Sequence, residues 1–197
     1  MDERDASILA PLAGFYAAAG RALPAAEAVS DGDVPPELRD LLRGPEPLTP
    51  RLEHRHGEPL ALRILDRLRV GDRYARRVVL VRGGGVPVAL GAIVVDLARL
   101  DARERAAVLA EAVPFGHILR GASSEPDALL RVARDATIAS AFEIEPSADE
   151  WLYGRRRTIR GADGGVIATV VDILAPDSPP RARARGASRA ARGCAGR

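Results

Sequence analysis

The sequence predicts one α+β domain built on a single antiparallel β-sheet with flanking helices. Three observations predict it. Apolar residues at helical spacing are concentrated in the first 45 or so residues and again after Asp101. Most of the rest reads as short runs of period two. Glycine-rich turns, Gly83-Gly84-Gly85 and Gly161-Ala162-Asp163-Gly164-Gly165, join consecutive runs as hairpins. Helices beside a series of antiparallel strands define the α+β class, here with the helices expected mostly on one face of the sheet.

The elements follow in order. Ile8, Leu9, Leu12, Phe15 and Tyr16 recur at helical spacing, with Gly20 as the stop. A loop rich in Asp, Gly and Pro comes next, and Pro36 opens a short helix that runs through Leu42 and ends near Gly44. Period two begins after Glu58 with Leu60, Leu62 and Ile64, and continues over residues 74–81 and 86–95. Asp101 is suited to cap a helix over residues 101–112, with Val108 and Leu109 turned inward. Pro114 starts a helical turn carrying Phe115, Ile118 and Leu119. Strands are expected over residues 129–138, 151–160 and 166–174, and the domain closes at Pro176.

Composition narrows the function. A chain of 197 residues, 47% hydrophobic and 28% charged, suits one domain with a real core. No apolar stretch approaches the roughly 18 residues of a membrane span. The start Met1-Asp2-Glu3-Arg4-Asp5 lacks the cationic and apolar segments of a secretory signal, so the expected location is cytoplasmic. The single Cys194 stands near the C-terminus and supports neither an internal disulfide nor a cysteine metal site. All 29 basic residues are Arg, which dilutes the meaning of any one of them. Residues 177–197 hold six Arg against one Asp, leaving 23 Arg against 26 acids elsewhere. The pI of 9.2 therefore belongs to this tail, which is expected to be disordered, and no specific nucleic-acid partner is expected. The organisation expected is N-terminal helices over 1–45, the main domain over 46–176 and the Arg-rich tail over 177–197.

No phosphate loop, nucleophile elbow or convincing metal pair is present, since His54 and His56 fall in a polar stretch that reads as water-facing. Two residues break the pattern of their strands. In residues 166–174 both faces are mainly apolar, so Asp172 is either neutralised by an arginine or faces a cavity where a ligand supplies its partner. Arg77 alternates with Ala75, Val79 and Val81, which places it on an apolar face, where an edge ion pair or a carboxylate clamp would suit it.

Several stretches resemble, in order, the chorismate pyruvate-lyase family over most of residues 48–176. They are Leu48-Thr49-Pro50-Arg51-Leu52-Glu53, Asp72-Arg73-Tyr74-Ala75-Arg76-Arg77-Val78-Val79-Leu80, Pro87 after the glycines, and Pro114-Phe115-Gly116-His117-Ile118-Leu119. Tyr153-Gly154-Arg155-Arg156-Arg157 and Val170-Val171-Asp172-Ile173-Leu174-Ala175-Pro176 complete the set. The resemblance implies a six-stranded antiparallel sheet with helical flaps over an internal site. It implies a cofactor-independent lyase that eliminates pyruvate from chorismate to leave 4-hydroxybenzoate. Carried over by position, Arg77 binds the ring carboxylate, the Phe115 backbone faces the same group, Asp172 meets the ring hydroxyl and Leu48 lines the site. Arg155 or Arg157 is then placed to meet the enolpyruvyl carboxylate. Two positions depart from the family, which carries Glu at Asp172 and in many members Arg at Ala92. The partners implied are a small carboxylate substrate and neither membrane nor nucleic acid, with a monomer expected. The same fold also serves as the effector-binding domain of bacterial transcription regulators, which would make the chain a non-catalytic binder of aromatic carboxylates.

Overall fold

The computed structural model describes residues 8–119 and 126–176. In chain order these comprise helix α1 (Ala10–Ala18), strand β1 (Ala26–Val29), helices α2 (Pro36–Arg43) and α3 (Leu48–His56), and strands β2 (Ala61–Val70), β3 (Arg73–Arg82) and β4 (Val86–Asp96). Helices α4 (Ala102–Ala110) and α5 (Phe115–Ile118), strand β5 (Ala128–Arg134), helix α6 (Ala136–Phe142) and strands β6 (Ser147–Arg160) and β7 (Val166–Leu174) follow. The seven strands form one antiparallel sheet in the order β1-β5-β6-β7-β4-β3-β2. The Arg-rich tail lies outside the described residues.

Local chemistry sets most boundaries. Pro36 occupies the first turn of α2, Glu37 complements its N-terminal dipole and Arg43 its C-terminal end. Asp101 caps α4 in a reciprocal box with Glu104, its carboxylate accepting from the Glu104 backbone N–H at 2.7 Å. Positive φ angles at Gly84 and Gly85 turn β3 into β4, and Gly164 does the same between β6 and β7.

Four features differ from the sequence expectation. The strand expected over residues 129–138 stops at Arg134, because Asp135 accepts from the Ile138 N–H at 2.8 Å and caps α6. The stretch from Leu48 to His56 is helical; Pro50 sits in its first turn, where a missing N–H costs nothing, and Gly57 at φ 69° ends it. His54 on this helix is exposed, but His56 is half-buried rather than water-facing. Residues 26–29, read as loop, add an edge strand against β5, so the sheet has seven strands rather than six.

The helices also cover both faces rather than one. On the first face, α1 and α6 bury Val79, Leu90, Ala92, Leu130, Val132, Leu152, Val171 and Ile173 against Leu12, Tyr16, Ile138 and Phe142. On the second, α2 and α3 cover Leu80, Ala89, Leu129 and Leu174, while Phe115 and Leu119 pack with Tyr74, Ile93, Ile159 and Ala168. Apolar burial at about 25 cal/mol per Å² on two faces explains why strands here read as nearly continuous hydrophobic runs. Among the described residues, no helix is long and apolar enough to cross a membrane.

Candidate functional site

Between the second face and helices α3 and α5 lies a cavity of about 60 Å³. Val78, Leu80, Ile93, Phe115, Ile159 and Val170 form its apolar walls, and Pro47, Leu48, Thr49, Pro114 and Gly116 border it from the helices. Gly91, directly opposite Asp172 in the β4–β7 register, leaves the floor open. The charged lining consists of Arg76, Arg155, Arg157 and Asp172, three guanidiniums against one carboxylate.

The structure therefore gathers Leu48, Phe115, Arg155, Arg157 and Asp172 around one space. It does not bring Arg77 there. Strand β3 shows Tyr74, Arg76, Val78 and Leu80 to the second face, so Arg77 emerges on the first, beside Phe15, Tyr16 and Thr137. There its Nε and Nη2 donate to Asp66 Oδ2 at 2.9 and 2.5 Å. The clamp expected at Arg77 is corrected to its neighbour. A one-residue shift in a strand moves a side chain to the opposite face, and with both faces apolar the alternation cannot choose between them. Ala92, paired with Arg77 in the β3–β4 register, is likewise on the first face, so its lack of charge does not bear on the cavity.

Arg76 is the residue that sequence reasoning missed. It is 1% exposed, and its Nη2 donates to the Val113 carbonyl at 3.1 Å. Its Nη1 is buried without a hydrogen-bond partner among the described residues. Burial holds this guanidinium below its ordinary pKa range, opposed by Tyr74 and the Glu111 carboxylate. Glu111 also accepts a short hydrogen bond from the Tyr74 hydroxyl, and pairs with Arg67 at 2.7 Å. A buried guanidinium with an unused donor is costly alone and is the natural seat of an anionic oxygen.

Among the described residues, the Asp172 side chain pairs with Arg155. Its Oδ2 accepts from Arg155 Nε at 3.2 Å. Arg155, 1% exposed, also donates from Nη1 to the Leu42 and Gly44 carbonyls at 3.2 and 3.1 Å and from Nη2 to the Glu46 carbonyl at 3.2 Å. Arg157 Nη2 donates to the Pro45 carbonyl at 2.8 Å. Both arginines thus serve the α2–α3 connection as well as the cavity, and Asp172 is paired with an arginine while also bordering the cavity.

No family model matches the chain, and no curated protein matches it. Among solved structures it is similar to the effector domain of PhnF from Mycobacterium smegmatis (14% identity, 69% of this chain and 92% of that one, TM-score 0.48). It is also similar to a GntR-family transcriptional regulator from Bacillus cereus (13%, 62% and 96%, TM-score 0.46). A third is a GntR-family transcriptional regulator from Enterococcus faecalis V583 (10%, 59% and 94%, TM-score 0.44). The expectation of a chorismate lyase is corrected, because Arg77 and Asp172, the pair on which the lyase reading depended, stand on opposite faces of the sheet.

Proposed function

We propose that the chain is a non-catalytic binding domain for a small carboxylate with an apolar, aromatic-type body. The buried Nη1 of Arg76 carries this reading: it anchors the carboxylate, while Asp172 across the cavity accepts a hydrogen bond from a hydroxyl on the ligand. Arg155 and Arg157 add positive charge, and Leu48, Ile93, Phe115 and Val170 contact the apolar body. An effector-type role fits a site with electrostatic anchors at its ends and an apolar wall between them.

Calorimetric titration with 4-hydroxybenzoate tests the assignment. Losing one charge-assisted hydrogen bond of about 1.5–3 kcal/mol weakens binding about ten- to a hundredfold in Arg76→Met. Arg77→Met, on the other face, leaves the affinity unchanged. Equal affinities in wild type and Arg76→Met rule the site out. Chorismate incubated with the protein is expected to release pyruvate no faster than in buffer.

A further inference from the structure

The cavity holds a contradiction between its chemistry and its size. Its walls are mostly apolar and ask for a ligand with a hydrocarbon body. Its volume of about 60 Å³ is less than half of the roughly 150 Å³ that admits benzene in an engineered apolar cavity. A carboxylate bearing a ring is fully enclosed only if part of the lining moves. The sheet floor is fixed by strand pairing on both sides of β7 and β4. What remains is the helical side.

There the connection over residues 42–47 is held in an unusual way. Leu42 and Arg43 end α2 and Leu42 packs in the core, but residues 44–47 join no strand or helix; the carbonyls of Gly44, Pro45 and Glu46, with that of Leu42, are held by two buried guanidiniums, and Arg51 pairs with the Glu46 side chain at 2.7 Å. Its last residue, Pro47, borders the cavity together with Leu48 and Thr49 at the start of α3. One of the latching groups, Arg155, is simultaneously a wall of the ligand space and the partner of Asp172. Its guanidinium is therefore divided between neutral backbone carbonyls on one side and, on the other, the carboxylate of Asp172, the group proposed to meet the ligand hydroxyl. Charged acceptors form the stronger hydrogen bonds.

We propose that residues 42–47 form a strap latched by Arg155, and that a ring-bearing carboxylate, anchored on Arg76 with its hydroxyl on Asp172, opens it by displacing that guanidinium from the strap carbonyls. The strap then converts occupancy of the cavity into displacement of α2 and the start of α3. This inference rests on the ligand reading above, and it adds which element moves and which residue releases it. A carboxylate small enough to fit the closed cavity leaves the strap in place.

Limited trypsin digestion of the full chain reads the strap directly, because the Arg43–Gly44 bond lies inside it. The fragment ending at Arg43 is followed by mass spectrometry. Ligand-free wild type is expected to resist cleavage there, and Arg155→Met to be cut at least tenfold faster. Saturating 4-hydroxybenzoate accelerates cleavage of wild type and adds nothing in Arg155→Met; glycolate, with the same carboxylate and hydroxyl but no ring, has no effect. Arg157→Met, which removes the Pro45 contact from the strap, gives a smaller acceleration and serves if Arg155→Met does not fold. Bound 4-hydroxybenzoate, seen by calorimetry, with no change in cleavage overturns the strap and leaves the binding site standing. Acceleration by glycolate overturns the size argument. Absence of 4-hydroxybenzoate binding removes the ligand reading and the strap with it.

Discussion

Replacing Arg155 by Met keeps an apolar stem but removes the charge and four hydrogen bonds at once. Two costs add. Asp172, whose side chain is 14% exposed, keeps its carboxylate in a largely apolar surrounding without the guanidinium. Removing one partner of a buried ion pair costs about 3–5 kcal/mol. The strap carbonyls regain water as the segment loosens, which places the total near the lower end, about 3 kcal/mol. For a domain of this size that lowers the midpoint of thermal unfolding by about 6–12 °C. The double variant Arg155→Met, Asp172→Leu separates the terms: it no longer strands a carboxylate, yet still lacks the strap contacts. It is expected to recover about 1–2 kcal/mol relative to the single variant, a coupling that a double-mutant cycle by urea denaturation measures. A cost below about 1 kcal/mol for Arg155→Met, or no recovery in the double variant, refutes the latch as a structural element.

Three further outcomes follow from the same geometry. Gly154→Ala places a Cβ 2.3 Å from the Asp172 carbonyl oxygen in the paired strand, so it forces β6 from β7 and destabilises by about 1–3 kcal/mol in urea unfolding. Gly91→Val keeps the fold, because β4 tolerates a branched residue, but projects methyls beside Val78 and Asp172 and abolishes 4-hydroxybenzoate binding in calorimetry. Burial, with Glu111 accepting from its hydroxyl, pushes the Tyr74 phenol up to about 12. Because the folded value lies above the ordinary value of 10, the stability contributed by Tyr74 is complete below pH 10 and is lost as pH rises toward 12. Tyr74→Phe is expected to flatten that part of the stability profile.

The helix caps and hairpin glycines were legible because their signals are local. Asp101 with Glu104, Pro36, Gly84 and Gly164 each satisfy a backbone requirement within a few residues of themselves. Asp135 carried the same kind of cap signal, but the apolar run through Ile138 masked it. Asp172 was legible as an acid out of place, and Phe115, Leu48, Arg155 and Arg157 were reached through the resemblance. Arg76 was not legible. It differs from Arg77 only in parity, and its flanking residues Tyr74 and Val78 are no more telling than Ala75 and Val79. The edge strand β1 was equally silent, since Ala26–Val29 has neither the length nor the β-branched content of a strand and exists by pairing with β5.

By itself the sequence determined the class of fold, the order of its main elements and the presence of an acid that needs a partner, because turns, caps and burial patterns are written over a few adjacent residues. Only the tertiary structure decided that helices cover both faces, that Arg76 rather than Arg77 meets the cavity, and that Arg155 joins Asp172 to a connection more than a hundred residues earlier in the chain. Those facts depend on strand register and on the packing of distant segments. In a sheet that is apolar on both sides, nothing local distinguishes one register from the next.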